Sequence, residues 1–111
     1  MLDTADLRTV MAKALDDRAG CAVLAELLQD DYAVDLYAVF TAQEEVGTRG
    51  ARVAAHRIAP DVAIALEGTI CDDLPKQKDL SPTTVVGHGP AITVMDRSVI
   101  SDRRLVDLLV S

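Results

Sequence analysis

The run Val34-Asp35-Leu36-Tyr37-Ala38-Val39-Phe40-Thr41 is rich in β-branched and aromatic residues and closes almost wholly apolar. That composition predicts a strand covered on both faces. Such a strand needs a layer on either side, and the flanking sequence supplies candidates. Upstream, Arg18 to Asp30 predicts a helix with an apolar band of Ala22, Val23, Leu24, Leu27 and Leu28. Asp16 and Asp17 stand just before it, where a side-chain oxygen can cap exposed N–H groups. Downstream, Gln43 to Gly50 reads as a loop, and Ala51 to Ile58 as a second helix stopped by Pro60. Asp61-Val62-Ala63-Ile64-Ala65-Leu66 is another buried-type strand, running into Glu67-Gly68-Thr69. Residues 72–90 hold three of the four prolines and two glycines, which predicts a loop or excursion. Ala91 to Met95 is a third strand, and Ser101-Asp102 caps a last helix from Arg103 onward. The first fifteen residues stay open: Leu7, Val10, Met11 and Leu15 share a helical face, or Thr9-Val10-Met11 forms a short strand. The alternation argues for an α/β fold, with helices packed on a mainly parallel sheet.

With 111 residues, the chain amounts to one domain or part of one. Half of it is apolar but only 3% aromatic, so the expected core is aliphatic. Eleven basic against eighteen acidic residues leave a net charge of −7, which argues against binding a phosphate backbone. No unbroken apolar run exceeds five residues, so no membrane span is expected. Met1 to Asp6 lacks the basic and apolar parts of a signal peptide. Cys21 and Cys71 are fifty positions apart and fit neither a CxxC pattern nor a disulfide framework. The expected location is cytoplasmic, with both thiols free and Cys21 on the core side of the first helix.

In open α/β sheets, ligands collect beyond the carboxyl ends of strands. Here the first strand runs into Glu44-Glu45 and the second into Glu67, while Asp16-Asp17 mark a helix entrance. Three separate acidic positions can therefore meet at one rim. Crowded carboxylates repel one another and take up protons unless a cation neutralises them. Oxygen donors suit divalent ions, which lower the pKa of bound water. A carboxylate beside that water can carry its proton to a leaving amine. The adjacent pair Glu44-Glu45 suits this division of labour, because neighbours in extended backbone point different ways. Adjacent acids on a solvated loop are the plain structural alternative.

Four stretches carry a resemblance. They are Lys13-Ala14-Leu15-Asp16-Asp17-Arg18-Ala19-Gly20-Cys21, Phe40-Thr41-Ala42-Gln43-Glu44-Glu45-Val46-Gly47-Thr48-Arg49-Gly50-Ala51, Ile64-Ala65-Leu66-Glu67-Gly68-Thr69, and Gly87-His88-Gly89-Pro90-Ala91-Ile92 with Met95-Asp96. In this order they resemble the M42 family of dinuclear metal aminopeptidases. The resemblance implies a three-layer αβα zinc-peptidase-like catalytic domain, with residues 1–111 as a single partial domain from its middle. The family's upstream segment, inserted dimerisation domain and C-terminal part have no counterpart here. Residue by residue, Asp16 matches the carboxylate that bridges two metals, and Asp17 the residue after it, joined through a cis peptide. Glu44 matches the general base, Glu45 a terminal ligand of one metal, and Glu67 the terminal carboxylate of the other, where many relatives have Asp. The family's two histidine ligands match nothing here, since His56 falls on the second helix and His88 in the Gly-Pro loop.

The function the resemblance implies is hydrolysis of N-terminal residues from peptides, with two divalent ions (Zn, Co or Mn) as cofactors. Glu44 would take a proton from water and deliver it to the leaving amine. The chain alone is expected to be weak or inactive, and to form a homo-oligomer. Its partners would be peptides with a free N-terminus, and neither nucleic acid nor membrane. The alternative is a non-catalytic α/β module acting through self-association or partner binding. Gly47 and Gly50 form only a lone GxxG, without a nucleotide-binding pattern around it. Arg49 reads as a bond to the loop backbone, or as a group orienting a carboxylate. Met95 and Asp96 read as a strand-end turn or as pocket lining, and Arg103-Arg104 as a solvated helix start.

Overall fold

The computed structural model describes residues 2–4, 9–73 and 83–111. Leu7 and the middle of the 72–90 excursion lie outside the described residues. Two compact units divide the chain, one ending at Gly68 and the other starting at Thr69.

The first unit opens with β1 (Leu2–Thr4) and β2 (Thr9–Met11), an antiparallel pair in register Leu2 to Met11 and Thr4 to Thr9. The strand reading of Thr9 to Met11 is therefore the correct one. Helix α1 (Leu15–Leu27) follows, but Asp16 and Asp17 within these bounds have non-helical dihedrals. Regular helix begins at Arg18, as the sequence predicts. The cap is visible: the Gly20 N–H donates to Asp17 Oδ1 at 2.8 Å, a bond from the third helical residue back to the residue before the helix. Helix α2 (Arg49–Ile58) starts two residues earlier than expected. The Arg49 and Gly50 N–H groups donate to the Gln43 and Ala42 carbonyls, which ties the end of the 34–41 run to the helix entrance. A Cβ at Gly50 would lie 2.5 Å from the Ala42 carbonyl oxygen, so this approach requires glycine. Ala51, Ala54 and Ile58 form the half-buried stripe of α2 at helical spacing. Past it, Ala59 turns left-handed (φ 49°) ahead of Pro60.

The second unit holds a polar clamp, a turn and a helix. Asp72 accepts hydrogen bonds from the Thr83 N–H (2.7 Å), the Thr83 hydroxyl and the Thr84 N–H, and Asp73 accepts from the Val86 N–H. Asp96 accepts from the Ser98 and Val99 N–H groups, and closes a turn bracketed by a bridge between Met95 and Ile100. The turn reading of Asp96 thus has its hydrogen bonds. Helix α3 (Arg103–Val110) is capped by Asp102, which accepts from the Arg104 N–H at 2.8 Å. The Arg104 guanidinium bound to the same carboxylate, with the backbone N–H, pulls the Asp102 pKa from 3.8 down to about 2. A depressed folded-state value contributes stability above 3.8, and that contribution is lost as pH falls through about 2. Amide exchange at Arg104 and Leu105 should therefore accelerate over that window, and Asp102→Ala should abolish the pH step.

Among the described residues no mainly parallel sheet is formed. Residues 34–41 and 61–66 carry no ladder, 91–95 carries only the Met95 bridge, and the one ladder among the described residues is antiparallel. These runs have strand composition without a neighbouring strand to receive their N–H and C=O groups. Nor does the expected aliphatic core exist: no described residue is buried. Tyr37, Phe40 and Ile64 are 65%, 56% and 62% exposed. Cys21, expected on a core side, is exposed. The accessible surface is 10383 Å², whereas two compact bodies of these sizes, each taken alone, would together expose about 7,000 Å².

Candidate metal centre

Asp16, Asp17 and Glu67 come together in the first unit. Each offers a carboxylate oxygen, and the three oxygens lie within 4.8 Å of one another. The bend at the start of α1 turns Asp16 and Asp17 out of helical geometry, and the peptide bond between them is cis, as the resemblance implies. Glu67 follows directly on the second apolar run. The Gly68 N–H donates to Glu67 Oε1 at 3.0 Å.

The group is electrostatically crowded. Glu67 is held above its ordinary carboxyl value, first by partial desolvation and next by a side-chain hydrogen bond with Asp16. The charges of Asp16 and Glu44 push the same way, and the Gly68 N–H opposes them. This is how vicinal carboxyl groups behave without a cation. Three carboxylate oxygens at this spacing can converge on one hard divalent ion, so the donor set fits a metal. Among the described residues, no histidine belongs to the group.

The other acids are placed less closely. Glu44 is near enough for its charge to act on Glu67. Its carbonyl accepts from the Gly47 and Thr48 N–H groups at 2.9 and 2.8 Å, which fixes the turn between the first apolar run and α2. Glu45 is exposed in that turn and lies outside the three-carboxylate group. Asp17, read as a cap and as the residue after the bridging ligand, joins the group instead. Its signal in the sequence is its adjacency to Asp16 at a helix entrance. His56 is exposed on α2, and His88 lies in the second unit, lining a cavity of about 280 Å³ with Cys71 and Thr84. The Cys71 thiol is hydrogen-bonded to the Asp73 carboxylate, which pushes its pKa up and works against a nucleophilic role.

The M42 glutamyl aminopeptidase family matches residues 2–111. The chain belongs to the M42 family. An Acetivibrio thermocellus protein with an aminopeptidase name is 47% identical over 103 residues, covering 91% of this chain and 31% of that protein. The lysyl aminopeptidase of Pyrococcus furiosus is 35% identical over 82 residues, covering 72% of this chain and 23% of its own. The glutamyl aminopeptidase of Lactococcus lactis is 34% identical over 74 residues, covering 63% and 21%. The M42 chain described here thus spans less than a third of the length of these relatives. No solved structure matches it significantly. Membership implies a peptidase-like α/β domain. No helix among the described residues is long and apolar enough to cross a membrane.

Proposed function

We propose that this M42 chain carries the carboxylate part of a dinuclear metal aminopeptidase centre. The supporting observation is the meeting of Asp16, Asp17 and Glu67, distant in sequence, at one point. Asp16, Glu67 and Glu45 would hold the divalent ions, Asp16 as the shared ligand. Bound Zn, Co or Mn would supply a Lewis acid and lower the pKa of water.

The chain's own groups then have distinct tasks. Glu44 stands beside the carboxylate group without being part of it. It is free to accept a proton from water and pass it to the amine leaving the N-terminal residue of a peptide. Asp17 holds the α1 entrance through the Gly20 N–H, which fixes the direction of its neighbour Asp16. Glu67 is steered by the Gly68 N–H. No imidazole completes the set among the described residues, so the chain alone should be a weak or inactive peptidase. Three-layer packing of the domain, a cytoplasmic location and homo-oligomerisation are part of the same reading.

A second reading has its own support. Exposed apolar residues on 34–41, 61–66 and α3 favour a module that works by self-association or by binding a partner. Calorimetric titration of the chain with CoCl2 or MnCl2 separates the two. The metal-centre reading expects saturable binding, whereas a module without a metal centre gives no heat beyond dilution.

A further inference from the structure

Two glycines stand against the carboxylate group, and neither is needed for an unusual backbone, since neither has a left-handed φ. A Cβ at Gly68 would lie 3.0 Å from Asp16 Cγ, 3.1 Å from its Cβ and 3.2 Å from its Oδ1. A Cβ at Gly20 would lie 2.8 Å from Asp17 Cγ and closer still to both carboxylate oxygens. Each glycine therefore leaves room for one aspartate. Each also donates its N–H to the group: Gly68 to Glu67, and Gly20 to Asp17. Gly20 sits inside α1, where alanine would be the better helix former. A residue chosen for the helix alone would not be glycine.

We propose that Gly68 and Gly20 are positioning residues of the metal centre, the missing side chain at Gly68 admitting Asp16 and that at Gly20 admitting Asp17. The inference rests on the metal-centre reading for its purpose, but not for its geometry. At Gly68 the contact is tight on both the Cβ and the carboxyl end of Asp16, so Asp16 must give by a few tenths of an ångström, turning about χ1 and shifting away from Glu67. At Gly20 the obstruction is the mobile end of Asp17, so the carboxylate swings out while the helix stays. The two substitutions thus displace different members of one group.

The test uses the full chain, labelled with 13C and 15N, as wild type, Gly68→Ala and Gly20→Ala. In the metal-free chain, three-bond Hα–Hβ couplings report the χ1 rotamers. Gly68→Ala should change the couplings of Asp16 and leave those of Asp17, and Gly20→Ala should do the reverse. Helical circular dichroism should be unchanged in Gly68→Ala and no lower in Gly20→Ala, a result that general destabilisation would not give. With CoCl2 alone as the probe, each variant should bind about 10-fold or more weakly than wild type, as loss of an orienting contact does. Unchanged couplings of the facing aspartate, or wild-type Co(II) affinity in both variants, would overturn the proposal. If wild type takes up no Co(II), the metal-centre reading fails, and the couplings alone decide whether the glycines place the aspartates.

Discussion

Asp16→Asn should remove divalent metal binding while making the metal-free chain more stable. Asp16 is the member of the group that both hydrogen-bonds to Glu67 and acts on it by charge. Losing an outer contact of a metal site costs about 10- to 100-fold in affinity, so losing the central ligand should cost at least about 100-fold. The opposite effect on the metal-free chain follows from the same crowding. Replacing one carboxylate by a neutral amide of equal shape relieves repulsion with Glu67 and Asp17. Calorimetric titration with MnCl2 reads the first effect, and thermal melting in the presence of a chelator reads the second. Both falling together would mean that Asp16 serves the local fold and not an ion.

Hydrolysis by the chain alone should be at least about 1,000-fold below that of a long relative, judged by what single electrostatic groups contribute to catalysis. Two deficits act together. The carboxylate group has no imidazole among the described residues. The surroundings also fail to exclude water, since Asp16 and Glu67 are exposed and no described side chain is buried. A dry site is what makes fixed charges effective at a reacting carbonyl. Release of p-nitroaniline from aminoacyl p-nitroanilides, with the Pyrococcus furiosus lysyl aminopeptidase measured beside it, gives the comparison. A kcat/KM within tenfold of that relative would show that the residues described here suffice for the reaction.

How far the sequence foretold this arrangement depends on how local each feature is. Helices α1, α2 and α3 were legible because a helix satisfies its own backbone, and its ends are marked by nearby residues. Asp17 and Asp102 cap, and Pro60 stops, within three or four positions of where they act. The strands were not, because pairing is a property of two segments. Val34 to Thr41 and Asp61 to Leu66 have β composition, yet no neighbour among the described residues receives their hydrogen bonds. Without that neighbour their apolar side chains stay exposed, and no described residue is buried.

The candidate site divides along the same line. That Asp16 and Glu67 can meet across some fifty residues follows from their places at the strand ends and the helix entrance, but their joint role as metal ligands comes only from the family resemblance. Asp17, read as a cap and as half of the acidic pair Asp16-Asp17 that can reach the common rim, joins the group through backbone geometry at the α1 entrance. Glu45 depends on how far its exposed turn can approach the group, which no local signal encodes.

Paramagnetic broadening is the most direct check on whether these acids form one centre. Substoichiometric MnCl2 should be added to the 15N-labelled chain and amide intensities followed. The expected result is selective loss of the signals of Asp16, Asp17, Glu67 and Gly68, with Glu44 next. Broadening spread evenly over the acidic residues, or centred away from Asp16 and Glu67, would contradict a shared metal site.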